Sequence, residues 1–293
     1  MASFAIEWFG TAAFRLSYGG TRILLDPFVS RNRHARPPAV ARLASLARAG
    51  HVFISHGHFD HVMDVPALLA INPSLEVHGP SQAIETISRE IAARGGPQAR
   101  LKVVTGETLD LGSSSGRFRV TVLPSKHVHF DRALVASTLA RAFGHPATPG
   151  SLRPWLLTRY PCGETLAYLF EIDGRRILFL GSAGPESERV LAWRKAHGPI
   201  DCLLLPLQGN SEICSIGARI VEILRPRAVV PHHHDDFFPP VSQEVDISEF
   251  RDRVARVAPE CRIEELVPGG DPLVFPELPD LTGSYLPDLP ASF

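Results

Sequence analysis

His56-Gly57-His58-Phe59-Asp60-His61 packs three imidazoles and one carboxylate into six consecutive residues. Imidazole nitrogen and carboxylate oxygen together suit Zn²⁺, and also Mn²⁺ or Fe. His56 and His58, two residues apart on an extended turn, can grip one ion. Asp60 and His61 are expected to open a helix beginning near Val62 and to point toward a neighbouring site. The spacing differs from a helical HExxH, in which residues four apart share a face. A merely polar loop rarely gathers so many ligand-type side chains at such short spacing.

Outward from this stretch, the other histidines cluster as well. Eight of the 13 histidines fall in three groups: His56, His58 and His61; His127 and His129; and His232, His233 and His234. A short apolar stretch precedes each group: Val52-Phe53-Ile54, Val120-Thr121-Val122-Leu123, and Ala228-Val229-Val230. Side chains at strand ends are held by a rigid scaffold and face one edge of a sheet, so ligands far apart in sequence can meet at one ion.

The surrounding pattern predicts that scaffold. Phe14–Tyr18, Gly19-Gly20 and Thr21–Leu25 read as strand, tight turn, strand, because Gly-Gly permits the positive φ of a two-residue turn. Thr165–Ile172, Asp173-Gly174 and Arg175–Leu180 repeat the unit. A helix over Val40–Ala49 and a strand at His51–Ile54 follow the first hairpin. A helix over Glu186–Ala196 and a strand at Asp201–Leu205 follow the second. Two sheets packed face to face with helices outside fit this order. Residues 131–164 interrupt it with a helix from Asp131 to Phe143, a Pro- and Gly-containing loop, and apolar Trp155-Leu156-Leu157, which can line a pocket or simply pack. The Pro-rich tail 276–293 reads as extended or frayed.

Composition narrows the classes of function. Lys+Arg (30) and Asp+Glu (31) nearly cancel, without a long charged block, so no nucleic-acid or anionic-membrane partner is indicated. The 44% hydrophobic content supports a sizeable core. No apolar run nears the roughly 20 residues of a membrane-spanning helix. Cys162, Cys202, Cys214 and Cys261 lack CxxC spacing, and Met1–Glu7 lacks a signal-peptide layout. A reducing cytoplasmic location, a small-molecule substrate and, as an open possibility, a homo-oligomer are the resulting expectations.

His56-Gly57-His58-Phe59-Asp60-His61 resembles the HxHxDH signature of the metallo-β-lactamase superfamily. Ile6-Glu7-Trp8-Phe9-Gly10 and Leu24-Leu25-Asp26-Pro27 resemble its L-ascorbate-6-phosphate-lactonase-like and N-acyl-phosphatidylethanolamine phospholipase D-like branches. The resemblance covers about residues 4 to 245. It implies an α/β fold of four layers, an αββα sandwich, over one domain spanning 1–293 with an insertion near 131–164. It implies metal site 1 at His56, His58 and His127, the last in Pro124-Ser125-Lys126-His127 with His129 as substitute. It implies metal site 2 at Asp60, His61 and a histidine after Val230-Pro231, where His233 is preferred over His232 and His234. Asp26 is expected to orient a histidine ligand, or else to be an ordinary turn residue before Pro27. Lys126 and Arg153 read as solvated charges rather than substrate anchors.

One departure bears on mechanism. The superfamily places a metal-bridging Asp after the second hairpin, and Leu180-Gly181-Ser182-Ala183-Gly184 offers Ser182 there. The resemblance therefore implies a metal-dependent hydrolase with one or two zinc ions, acting on an ester, lactone or phosphodiester, with Asp60 and His233 in catalytic positions. The alternative is a non-hydrolytic metal-binding sensor or degenerate member.

Overall fold

The computed structural model describes residues 4–96, 100–111, 118–143, 158–172, 174–184, 192, 194–196 and 198–275. The first sheet carries β1 (Phe4–Trp8), β2 (Phe14–Tyr18), β3 (Thr21–Leu25), β4 (His51–Phe53), β5 (Glu76–Gly79) and β6 (Leu101–Val103). The second carries β7 (Thr108–Asp110), β8 (Phe118–Ser125), β9 (Thr165–Ile172), β10 (Arg175–Leu180), β11 (Cys202–Pro206), β12 (Ala228–His232) and β13 (Arg262–Ile263). Strand β14 (Leu273–Phe275) returns to pair with β1, giving the orders β14-β1-β2-β3-β4-β5-β6 and β13-β12-β11-β10-β9-β8-β7.

The two sheets repeat one design. In each, three antiparallel pairings lead into three parallel ones: β3 with β4, β4 with β5 and β5 with β6, then β10 with β11, β11 with β12 and β12 with β13. The predicted hairpins are the antiparallel part, with Gly19 (φ 53°), Gly20 (φ 84°) and Gly174 (φ 78°) in their turns.

Strand alternation sends each strand's side chains to two different cores. Ile23, Leu25 and Phe53 face inward, where they join Phe118, Tyr168, Phe170 and Phe179 of the opposite sheet. Leu24, Val52 and Ile54 face outward onto α3 (Val65–Ile71) and α4 (Ser81–Ala92), which follow α1 (Leu43–Leu46) and α2 (Phe59–Val62). Leu169, Leu178, Leu203 and Val229 face outward onto α6 (Ile213–Leu224) and α7 (Ser248–Val257), after α5 (Arg132–Ala142). Three apolar clusters between helix, sheet, sheet and helix make the four-layer αββα sandwich.

Two helix expectations change. The helix over Val40–Ala49 contracts to the four residues of α1: Arg42 before it is extended (φ −97°, ψ 140°), and after it Ala49 N–H turns back to the Leu46 carbonyl (3.1 Å) while the Asn72 side-chain amide donates to the Ala47 and Ala49 carbonyls (2.8 and 3.2 Å). The helix near Val62 begins earlier, at Phe59, so Asp60 and His61 lie within α2. The helix from Asp131 forms, and the Asp131 carboxylate caps it by accepting from Leu134 N–H at 2.8 Å. Most of Glu186–Ala196, all of Trp155-Leu156-Leu157 and the tail 276–293 fall outside the described residues. No described helix is long and apolar enough to cross a membrane, and all four cysteines are free thiols.

His78 on β5 supplies a test of the buried layer. Its ring stacks on Phe53 at 4.6 Å, and burial, with His51 and Lys102 nearby, pulls its pKa down to about 4. A base whose folded pKa lies below its unfolded value stabilises the fold fully above the unfolded value and loses that contribution as pH falls toward the folded one. Unfolding free energy should drop by about 2 kcal/mol from this group between about pH 7 and about pH 5. His78→Phe, measured by urea unfolding at both pH values, should flatten the fall by that amount; an unchanged slope would refute the assignment.

Candidate metal centre

The parallel strands end at one edge, and the ligand-type residues emerge there. His56 and His58 follow β4, Asp60 and His61 occupy α2, His127 follows β8, and His233 follows β12. His56 Nε2 and His58 Nδ1 converge at 3.1 Å. The His127 ring lies 4.9 Å from that of His56 and 4.8 Å from that of His58, and its Nδ1 is directed at the Val128 carbonyl (2.6 Å). A second group adjoins the first: Asp60 Oδ2 sits 3.2 Å from His233 Nε2 and 3.8 Å from His61 Nε2. The ligand atoms of Asp60, His61 and His233 all lie within 4.8 Å of one another, and so do those of His56, His58, His127 and Cys162. The His56 and His61 rings, 3.9 Å apart, join the two groups.

The neighbouring histidines separate cleanly. His129 is exposed, outside both groups. His232 is a core residue: it is fully buried, lies 5.0 Å from Phe14 and 5.7 Å from Phe179, and is directed at the Leu180 carbonyl. His234 packs on Trp8 at 5.1 Å. His233 turns through φ 58°, and this left-handed step after β12 swings its side chain away from the core and toward Asp60.

Buried donors beneath the motif fix its geometry. Asp26 accepts from Ser55 N–H (2.7 Å), Ser55 Oγ–H (2.5 Å) and His61 Nδ1–H (2.6 Å). His61 Nε2 is thereby left facing Asp60, at 3.8 Å. A Cβ on Gly181 would lie 2.0 Å from Ser55 Oγ and 2.8 Å from Asp26 Oδ2, so only glycine fits beneath this network. Tyr168, from the opposite sheet, donates to the Ile54 carbonyl at 2.6 Å and ties the end of β4 in place. Ser55, Tyr168 and Gly181 escaped the sequence reading, because what marks them is contact across the two sheets rather than spacing.

The electrostatics suit a cation. Burial, reinforced by His61 and the other imidazoles, holds His56 well below the ordinary histidine range, and burial brings His58 down to about 4 against the opposing pull of Asp60. Burial also lowers His127. These rings are neutral near neutral pH, with lone pairs available. Burial opposes the charge on Asp60, yet His61, His233 and His58 outweigh it and keep the carboxylate ionised. His61 is raised, because Asp26 and Asp60 outweigh its burial. His233 Nδ1 is buried without a hydrogen-bond partner. Neutral imidazoles and an ionised carboxylate whose ligand atoms lie within 4.8 Å of their group's other members fit a divalent metal.

Ser182 takes a different part from a bridging carboxylate. Its Oγ accepts from Val128 N–H at 3.0 Å, and so pins the residue after His127. Lys126 is on the exposed surface, and Arg153 lies outside the described residues.

Asp26→Asn keeps the volume but removes the charge that orients His61. It should weaken metal binding by roughly 10- to 100-fold, read by competition with a coloured chelator. Equal affinity in the two proteins would make Asp26 a turn residue only.

Fold and site together define a metallo-β-lactamase-type protein. The family described as "Beta-lactamase superfamily domain" matches residues 21–234, and the chain belongs to that superfamily. Among its relatives, a UPF0173 metal-dependent hydrolase of Nitratidesulfovibrio vulgaris (strain Hildenborough) is 28% identical over 269 residues, covering 90% of this chain and 92% of the relative. A UPF0173 metal-dependent hydrolase of Pyrococcus abyssi is 27% identical over 267 residues, covering 90% and 96%. Among solved structures, the metallo hydrolase Igni18 of Ignicoccus hospitalis shares the fold, with a TM-score of 0.63 at 17% identity over 94% of this chain and 100% of that one. The diiron β-hydroxylase CmlA of Streptomyces venezuelae matches with a TM-score of 0.60 at 19% identity, over 93% of this chain and 54% of that one.

Proposed function

We propose that the chain is a metal-dependent hydrolase that cleaves an ester, lactone or phosphodiester bond of a small molecule. The observation that carries this reading is the pair of adjoining donor groups at one sheet edge, His56-His58-His127 and Asp60-His61-His233. A divalent cation held there supplies an acidified water near neutral pH and polarises the oxygen under attack. Zinc suits both groups, and Mn²⁺ or Fe accepts the same donors.

The protein's own groups do the positioning. The Asp60 carboxylate, kept ionised, can orient the attacking water as a hydrogen-bond acceptor. His233 Nε2 lies 3.2 Å from Asp60; it can hold that carboxylate or, turned from it, hydrogen-bond the oxygen that gains charge. Phe130, 55% exposed, lies 6.3 Å from the His58 ring and 5.4 Å from the His127 ring. It gives the mouth an apolar wall and favours a substrate with an acyl or aryl part beside the scissile bond. Free thiols throughout fit a reducing, cytoplasmic location.

Ser182 favours a second reading, a metal-binding sensor that does not hydrolyse, since no carboxylate stands at the usual bridging place. One experiment separates the two. The protein is stripped with chelator, reloaded with zinc, manganese or iron, analysed for metal content, and assayed on aryl esters, lactones and bis(p-nitrophenyl) phosphate. Metal-dependent turnover is expected on at least one class. Full metal loading with no turnover on any of them would leave the sensor reading standing.

A further inference from the structure

We propose that Cys162 is a fourth protein ligand of the ion held by His56, His58 and His127. This rests on the metal-site reading above and goes beyond it, because that reading assigns only the three imidazoles to this ion.

The thiol is built into the group rather than merely near it. Its Sγ lies within 4.8 Å of the ligand nitrogens of all three histidines. The segment that carries it is laced to the motif on both sides: Gly57 N–H donates to the Cys162 carbonyl at 2.8 Å, and Leu166 N–H donates to the Ser55 carbonyl at 2.8 Å. The approach is so close that a Cβ on residue 57 would sit 2.2 Å from the Pro161 carbonyl oxygen and 3.1 Å from that of Cys162. Glycine at the centre of the motif thus has a specific use, which is to admit the strand end bearing Cys162. Among the described residues, the polar neighbour of Sγ outside the group is Thr165 Oγ1, at a long 3.9 Å.

The charge balance points the same way. Three neutral imidazoles leave the ion's two positive charges uncompensated. Ser182, at the usual place of the bridging carboxylate, has its oxygen engaged with Val128 N–H. The Asp60 carboxylate belongs to the other group. A thiolate supplies the missing negative charge, since a coordinating thiol is deprotonated outright. Metal binding breaks the S–H bond and forms a metal–sulfur bond; the proton passes to solvent, and no electrons are transferred. Three nitrogens and one sulfur would then be the protein donors to that ion. The Asp60-His61-His233 side, with fewer donors, becomes the side on which substrate is received.

The test reads the ligand directly. Zinc X-ray absorption on the full-length, zinc-loaded protein should show a sulfur shell near ~2.3 Å. The cobalt-substituted protein should show near-ultraviolet sulfur-to-cobalt charge transfer, retained in a Cys261→Ala control and lost in Cys162→Ser and Cys162→Ala. Zinc affinity in those two variants should fall by more than the roughly 10- to 100-fold that loss of an outer partner causes. A zinc-loaded wild type with only nitrogen and oxygen neighbours would overturn the proposal and leave the three-histidine site standing. Charge transfer that persists in Cys162→Ala would also overturn it. A wild type that takes up no metal at all would instead overturn the underlying site reading.

Discussion

Replacing His56 with alanine is expected to remove at least one bound ion per chain and to abolish metal-dependent turnover. His56 lies between the two donor groups, its ring 4.8 Å from His58, 4.9 Å from His127 and 3.9 Å from His61. Without it, His58 and His127 remain as two imidazoles with no shared third nitrogen. A Lewis acid and the water it acidifies contribute several kcal/mol to a hydrolytic transition state, so the expected loss in kcat/KM is about 10³-fold or more. The fold should survive, because Ser55 Oγ, the hydrogen-bond neighbour of His56 Nδ1 (2.9 Å), keeps its bond to Asp26. Far-ultraviolet circular dichroism, elemental analysis and turnover on the same sample separate these effects. His129→Ala is the control: the side chain is exposed, outside the cluster, and should leave both metal content and rate unchanged. A His56→Ala protein with full metal content and normal rate would end the assignment.

The contrast between His56 and His129 shows what the sequence made legible. Ligand type and short spacing identify a metal motif, because one loop can deliver such a set without help from the rest of the chain. The hairpins were equally readable, since Gly19-Gly20 and Gly174 sit in turns that take positive φ. The choice among His232, His233 and His234 was less so. It depends on strand alternation that buries His232 between Phe14 and Phe179, followed by a left-handed step at His233. Spacing carries neither fact. The helix over Val40–Ala49 misled because its Ala, Leu and Arg content favours helix, while an extended Arg42 and the distant Asn72 amide on the Ala47 and Ala49 carbonyls bound it. Cys162 was unreadable for another reason. It reads as one of four unpaired thiols, and its meaning arises when the strand end before β9 is threaded against Gly57.

The second large effect is expected just outside the donor groups, at Asp235. Its carboxylate accepts from Thr11 N–H at 2.9 and 3.1 Å and pairs with the Arg31 guanidinium, with both side chains almost fully buried. Gly10 (φ 93°) makes room for that guanidinium, since a Cβ there would overlap Arg31. The Thr11 carbonyl in turn accepts from His233 N–H at 2.9 Å, so this clamp holds the loop that presents His233 to Asp60. Asp235→Ala leaves Arg31 buried and unpaired, and removing one partner of a buried pair costs about 3–5 kcal/mol. That is a large share of the roughly 5–15 kcal/mol by which domains are stable. Asp235→Asn keeps an acceptor for Thr11 and loses only the charge, so its cost should be smaller, about 1.5–3 kcal/mol. Urea unfolding of the wild type and both variants reads this ranking. Chelator competition should show weaker binding at the Asp60-His61-His233 group as the loop loosens. If Asp235→Ala cost less than about 1 kcal/mol, the scale of an exposed pair, the clamp would be solvated and His233 would be held by other contacts.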